Sequence, residues 1–140
     1  MRRNATAVWN GSGKEGSGHL TTQSNTLSNT QYSFHSRFAE GVGTNPEELM
    51  AAAHAGCFSM KLAFELVAAG FTAESIETRC DITLDPSKGA ITTSELSCRA
   101  KVPGIDEAKF QEVANKAKAE CPVSKAYGSL EISLKAELAS

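Results

Sequence analysis

Thr44-Asn45-Pro46-Glu47-Glu48-Leu49-Met50-Ala51-Ala52-Ala53-His54-Ala55-Gly56-Cys57-Phe58-Ser59-Met60 opens a segment that runs on to Gly70, and its reading decides the fold. Asn45 is a favourable N-cap, and Pro46 falls at the first helical position, where its missing N–H costs nothing. Glu47 and Glu48 place two carboxylates in the first turn, against the positive end of the helix dipole. Gly70 supplies the stop. The spacing predicts a helix to about Ala69, about 24 residues and roughly 36 Å long. Its middle is apolar nearly all round, through Met50, Phe58, Met60, Leu62, Phe64, Leu66 and Val67. Such a helix must be covered on most sides. In a chain of 140 residues one sheet covers one side, so the pattern already points to a second copy of the chain.

Outward from the helix, the chain reads as strands. On the N-terminal side, Ala5–Asn10 and His19–Ser24 form a hairpin around the glycine-rich Gly11–Gly18 turn, and Tyr32–Phe38 gives a third strand. On the C-terminal side, Thr72–Asp85 and Ile91–Val102 form two long strands around Asp85-Pro86-Ser87-Lys88-Gly89. Asp106 caps a second helix to about Glu120, with Phe110, Val113, Ala114 and Ala117 as its apolar stripe. Cys121-Pro122 ends it, and Ser129–Ala136 closes the chain as a strand. The order β-β-β-α-β-β-α-β is α+β, in one domain over residues 1–140.

Composition excludes several classes of function. Hydrophobic residues at 41% and charged residues at 21% describe an ordinary globular chain. A net charge of −2 without a basic cluster argues against a nucleic-acid partner. Arg2 and Arg3 have no apolar stretch behind them, so no secretory pattern is read, and no membrane span is expected. The chain reads as soluble and cytoplasmic.

In that reducing setting a cysteine is a small core residue, a metal ligand or a reactive thiol. Cys57 lies mid-helix, where the dipole helps little, so as a nucleophile it would need a cationic side chain; as a core residue it would need nothing. Cys121 stands at the helix break, ordered by Pro122 yet beside a polar loop. Cys80 and Cys98 read as strand packing. Arg37, flanked by Phe34 and Phe38, suggests a partly buried guanidinium in need of an acid such as Glu47 or Glu48. His54, three residues before Cys57, shares its helical face. The pair could begin a zinc site, but no further ligands are visible, so His54 reads as a packed or hydrogen-bonded histidine.

Three blocks then carry a resemblance: Gly43-Thr44-Asn45-Pro46-Glu47-Glu48-Leu49 behind Arg37-Phe38, Ala52-Ala53-His54-Ala55-Gly56-Cys57-Phe58-Ser59-Met60, and Cys121-Pro122-Val123-Ser124. With Val102-Pro103-Gly104-Ile105 they extend over nearly the whole chain, which resembles the OsmC/Ohr family, and within it the OsmC branch. The resemblance implies an intertwined homodimer with its long central helices packed between antiparallel sheets. It implies reduction of organic hydroperoxides, weaker reduction of hydrogen peroxide, and a dithiol reductant such as dihydrolipoamide. Carried residue by residue, the peroxidatic cysteine falls on Cys57, the resolving cysteine on Cys121, the activating arginine on Arg37 and its carboxylate on Glu47. No metal or other cofactor is expected. Glu47 and Cys57 are ten residues apart on one helix, about 15 Å along its axis. Composite sites, two per dimer, with the acid supplied by the partner chain, are therefore expected. A non-catalytic module binding hydrophobic ligands, or a redox sensor, is the alternative.

Overall fold

In the computed structural model, which describes residues 1–139, the long helix begins as its cap predicts. Asn45 Oδ1 accepts a 2.8 Å hydrogen bond from the Glu48 N–H, and the helix, α2, runs unbroken over Pro46–Ala68. It ends at Gly70, whose φ of 95° is open to glycine. The Phe71 N–H donates to Leu66 O at 2.8 Å and the Gly70 N–H to Val67 O at 3.0 Å, the pattern of a Schellman stop.

The chain divides into two compact units, residues 1–49 and 50–140. In the first, β1 (Ala5–Asn10), β2 (Ser17–Thr22) and β3 (Thr30–Tyr32) form an antiparallel sheet in that order. The predicted hairpin is present, but β2 starts at Ser17 and takes in Gly18. An added Cβ there would lie 2.7 Å from the rings of both Trp9 and Tyr32, so this glycine belongs to the sheet and not to the turn.

The strand expected over Tyr32–Phe38 is a correction: β3 ends at Tyr32 and Phe34–Phe38 is a short helix, α1. Ser33 and Ser36 form a reciprocal capping box, with the Ser36 N–H donating to Ser33 Oγ at 3.2 Å and the Ser33 N–H donating to Ser36 Oγ at 2.8 Å. That local bonding outweighs the β-preference of the aromatic residues. Phe34 and Phe38 then meet one turn apart, with ring centroids at 4.9 Å.

In the second unit β4 (Ser75–Asp85) pairs antiparallel with β5 (Ala90–Lys101), and β5 pairs with β6 (Glu131–Ala139). The β5–β6 pairing is parallel, so this sheet is mixed and the expectation of purely antiparallel sheets is corrected. Two helices make the crossover a parallel pair requires. One is the predicted α3 (Glu107–Glu120), capped by Asp106; the other is α4 (Pro122–Ala126), a single turn that the sequence reading left without structure. Pro122 ends one helix and starts the next, because its fixed φ suits a first helical position.

The core of this unit gathers Phe58, Leu62 and Leu66 of α2, Leu96, Cys98 and Ala100 of β5, and Phe110, Val113, Ala114 and Ala117 of α3. Along α2, His54, Phe58, Leu62 and Leu66 recur every fourth residue and none is exposed to solvent. A second apolar stripe, Met60, Phe64 and Val67, is 61–66% exposed in the single chain. Among the described residues no helix is long and apolar enough to cross a membrane.

Candidate active site

Two pairs of side chains singled out in the sequence come together. Arg37 Nε donates to Glu47 Oε1 at 2.9 Å. α1 presents Arg37, and Asn45 ties α1 to the α2 cap by donating from Nδ2 to Ser36 O at 2.9 Å. Gly43, at φ 102°, lets the chain pass so close to β3 that the Thr44 N–H bonds Gln31 O at 2.9 Å; a Cβ at Gly43 would collide with that carbonyl. The guanidinium carbon also lies 5.2 Å from the Phe38 ring centroid, a cation–π arrangement. The Arg37 side chain is 41% exposed, whereas that of Glu47 is 11% exposed. Glu47 Oε2 is buried without a hydrogen-bond partner among the described residues.

The second pair is the two thiols. Cys121 Sγ donates to Cys57 Sγ at 2.7 Å, and neither cysteine is in a disulfide. Cys121 is fully buried, at the junction of α3 and α4, and Cys57 is half-buried on α2. Burial pushes the Cys57 thiol up from its ordinary range, and the Cys121 thiol adds to that effect. The Val123 backbone N–H, hydrogen bonded to Cys57, acts the other way, as does the more distant charge of Lys61. Lys61 is thus the cation that acts on this mid-helix thiol, against the larger effect of burial.

Several contributors escaped the sequence reading. Lys61 lies one turn beyond Cys57, at a spacing that could have flagged it. Its Nζ sits 2.9 Å from Glu65 Oε1 and 3.8 Å from Glu120 Oε2, beside the residue that precedes Cys121. The Val123 N–H could not be found by residue type, since a backbone donor depends on how α4 folds. Tyr127, whose OH donates to Met50 O at 3.1 Å, has its phenol pushed up by burial and then by the nearby Cys80 and Cys121.

His54 is the hydrogen-bonded histidine the sequence suggested. Nδ1 is bonded to Ser94 Oγ at 2.6 Å and Nε2 to Ser124 Oγ at 2.7 Å, so both ring nitrogens are engaged by serines. Burial lowers its pKa and favours the neutral ring. Cys98 lies in the core and Cys80 packs against it, with burial pushing both thiols up; both behave as strand packing.

A family model described as OsmC-like protein matches residues 39–136. Over its full length the chain is 44% identical to the peroxiredoxin OsmC of Escherichia coli (strain K12), covering 99% of that protein. The fold is similar to the crystal structure of the organic hydroperoxide resistance protein OhrB of Bacillus subtilis, at 28% identity and a TM-score of 0.65, with 97% of this chain and 98% of that one covered. An organic hydroperoxide resistance protein from Elizabethkingia anophelis, 21% identical, shares the fold with a TM-score of 0.72 over 99% of both chains. With that family model spanning well over half of its residues and a full-length relative at 44% identity, the chain belongs to the OsmC-like protein family.

Proposed function

We propose that this chain is a thiol peroxidase of oxidative and osmotic stress defence, which reduces organic hydroperoxides to alcohols and hydrogen peroxide less well. The observation that carries the reading is the free Cys57–Cys121 pair, with its sulfurs 2.7 Å apart. The Cys57 thiolate attacks the terminal oxygen of the hydroperoxide, the O–O bond breaks, and the alkoxide leaves as the alcohol after taking a proton. Cys57 becomes a sulfenic acid. The Cys121 sulfur then attacks Cys57, the S–O bond breaks, and the hydroxyl departs as water with the Cys121 proton. An external dithiol such as dihydrolipoamide reduces the resulting disulfide and takes the two-electron oxidation onto itself.

Arg37 adds a positive field at the thiol, and Glu47 holds its guanidinium through Nε, leaving the outer nitrogens of the fork for the peroxide. α2 is unbroken between Glu47 and Cys57, the condition under which both cannot serve one site within one chain. The acid and arginine that serve one Cys57 therefore come from a partner copy, in a homodimer with two composite sites. The open stripe of Met60, Phe64 and Val67 supports such a pairing, since it gives α2 an apolar face for the partner to cover. The family model crosses from one compact unit into the other, which supports a single functional domain. We place the enzyme in the cytoplasm, where free thiols persist.

The test is turnover of cumene hydroperoxide and hydrogen peroxide by the purified protein with dihydrolipoamide. Organic-peroxide consumption that exceeds that of hydrogen peroxide, and vanishes in Cys57→Ser, is the expected result. No consumption with any dithiol would leave ligand binding or redox sensing as the function.

A further inference from the structure

We propose that His54 is a positioning residue for the resolving half of the reaction: through Ser124 it holds the turn that carries Cys121 against the helix that carries Cys57. The inference rests on the two-cysteine reading above.

Among the described residues Cys121 makes no side-chain hydrogen bond apart from its contact with Cys57, and its place is set by the backbone around it. Its N–H donates to Ala117 O at 2.9 Å, at the end of α3, and its carbonyl accepts from the Lys125 N–H at 3.1 Å, inside α4. α4 is five residues long and its first turn has no side-chain cap. A turn that short does not hold itself in place by helix formation alone. Two side-chain bonds fasten it to α2, from Ser124 to His54 and from Tyr127 to the Met50 carbonyl. The Tyr127 ring also meets the His54 ring edge-on, with centroids at 5.2 Å, so both fastenings converge on one turn of α2.

The His54 end is itself fixed. The ring is fully buried, and Nδ1 is held by Ser94 of β5, which is also fully buried and whose Oγ lies 3.2 Å from Cys80 Sγ. A neutral imidazole has one N–H and one lone pair in its plane, so one serine must accept and the other must donate. Either hydroxyl can fill either role, so both tautomers keep the ring tied between Ser94 and Ser124. Cys57 follows one turn later on the same helix. Ser124 adjoins Val123, whose N–H reaches the Cys57 sulfur. The tether therefore governs how closely Cys121 and its neighbouring backbone approach the sulfur that is oxidised. Disulfide closure requires the Cys121 sulfur to attack along the Cys57 S–O axis, and its rate is sensitive to small misplacement.

The experiment is rapid-quench kinetics on reduced full-length protein mixed with one equivalent of cumene hydroperoxide. Dimedone-trapped sulfenic acid and the Cys57–Cys121 disulfide are counted by mass spectrometry in wild type, Ser124→Ala, His54→Leu and the double variant. Loss of the tether is expected to slow closure about tenfold while sulfenic acid formation slows by less than about twofold. The double variant should be no slower than His54→Leu alone, because the bond to Ser124 is already lost there. Sulfinic acid should build up with repeated turnover as the sulfenic acid waits longer. A purely structural role would lower the melting temperature and leave closure in the folded molecules at the wild-type rate, and that result in Ser124→Ala overturns the proposal. If His54→Leu does not fold, Ser124→Ala decides alone. A wild type that forms no disulfide brings down the two-cysteine reading itself, whereas equal closure rates in wild type and Ser124→Ala bring down the positioning role only.

Discussion

The sulfur of Cys121 lies 2.7 Å from that of Cys57, although 64 positions separate the two in sequence and they differ in exposure. Cys57 is half-buried on α2 and Cys121 is fully buried at the α3–α4 break; in the mechanism we propose, the first meets the peroxide and the second answers it. The difference assigns distinct phenotypes. Cys57→Ser should lose at least about a thousandfold in peroxidase turnover, since no other nucleophile replaces it. Cys121→Ser should consume one equivalent of hydroperoxide and stall as a dimedone-reactive sulfenic acid. Burst-phase kinetics separate the two, and a Cys121→Ser enzyme that keeps turning over with dihydrolipoamide would remove Cys121 from the mechanism.

Arg37→Lys should be nearly as damaging as Arg37→Ala. A lysine keeps the charge but cannot bond Glu47 through one nitrogen while presenting others in a fixed plane. A loss of about 10- to 100-fold in kcat/KM is expected for either, and the pH at which Cys57 becomes reactive should rise. Burial already pushes that thiol up, so removing the cation moves the rate profile to higher pH. Rates of Cys57 alkylation between pH 5 and 9 measure the shift; an unchanged profile would show that Arg37 does not act on Cys57.

Phe64→Glu and Phe58→Ala should fail in different ways. Phe58 is fully buried in the core, and its truncation should cost about 3–5 kcal/mol of stability. Phe64 is 66% exposed in the single chain, so Phe64→Glu should leave a folded protomer that no longer pairs and no longer turns over peroxide. Light scattering with size exclusion reads the mass. A Phe64→Glu protein of wild-type mass and activity would show that this stripe is not the dimer seam.

Stability should fall as pH drops below about 6.5, the ordinary histidine value, on account of His54. Burial lowers the His54 pKa in the folded chain, so between that lowered value and 6.5 the unfolded chain holds a proton that the native one does not. The contribution is therefore complete above about 6.5 and is lost as pH falls towards the folded value, with a slope of at most about 1.4 kcal/mol per pH unit for one proton. The groups facing the ring are the hydroxyls of Ser94 and Ser124 and the edge of Tyr127, none of them charged near neutrality. Urea midpoints from pH 5 to 8 should show a slope that His54→Gln reduces; an equal slope in both proteins would assign the effect elsewhere.

What the sequence made legible follows from how local each signal is. Asn45, Pro46, Glu47 and Gly70 bound α2 by chemistry within four residues, and that helix was read to within one residue. Ser33 and Ser36 are equally local, yet the aromatic run between Tyr32 and Phe38 hid their capping box and suggested a strand. The parallel pairing of β5 with β6 depends on a crossover through α3 and α4, which no window of the sequence contains. At the site, residue types and the family likeness pointed to Cys57, Cys121, Arg37 and Glu47, and the structure brings these together as two pairs. Contributors defined by long-range geometry stayed hidden: Ser94 meets His54 across 40 residues and Ser124 across 70.

The most direct test of the central claim is intact and peptide mass spectrometry of the reduced protein after one equivalent of an organic hydroperoxide. The account predicts loss of two hydrogens, a single disulfide joining the Cys57 and Cys121 peptides, and Cys80 and Cys98 still open to alkylation after unfolding. A disulfide through Cys80 or Cys98, or four alkylatable thiols after the peroxide has been offered, would contradict it.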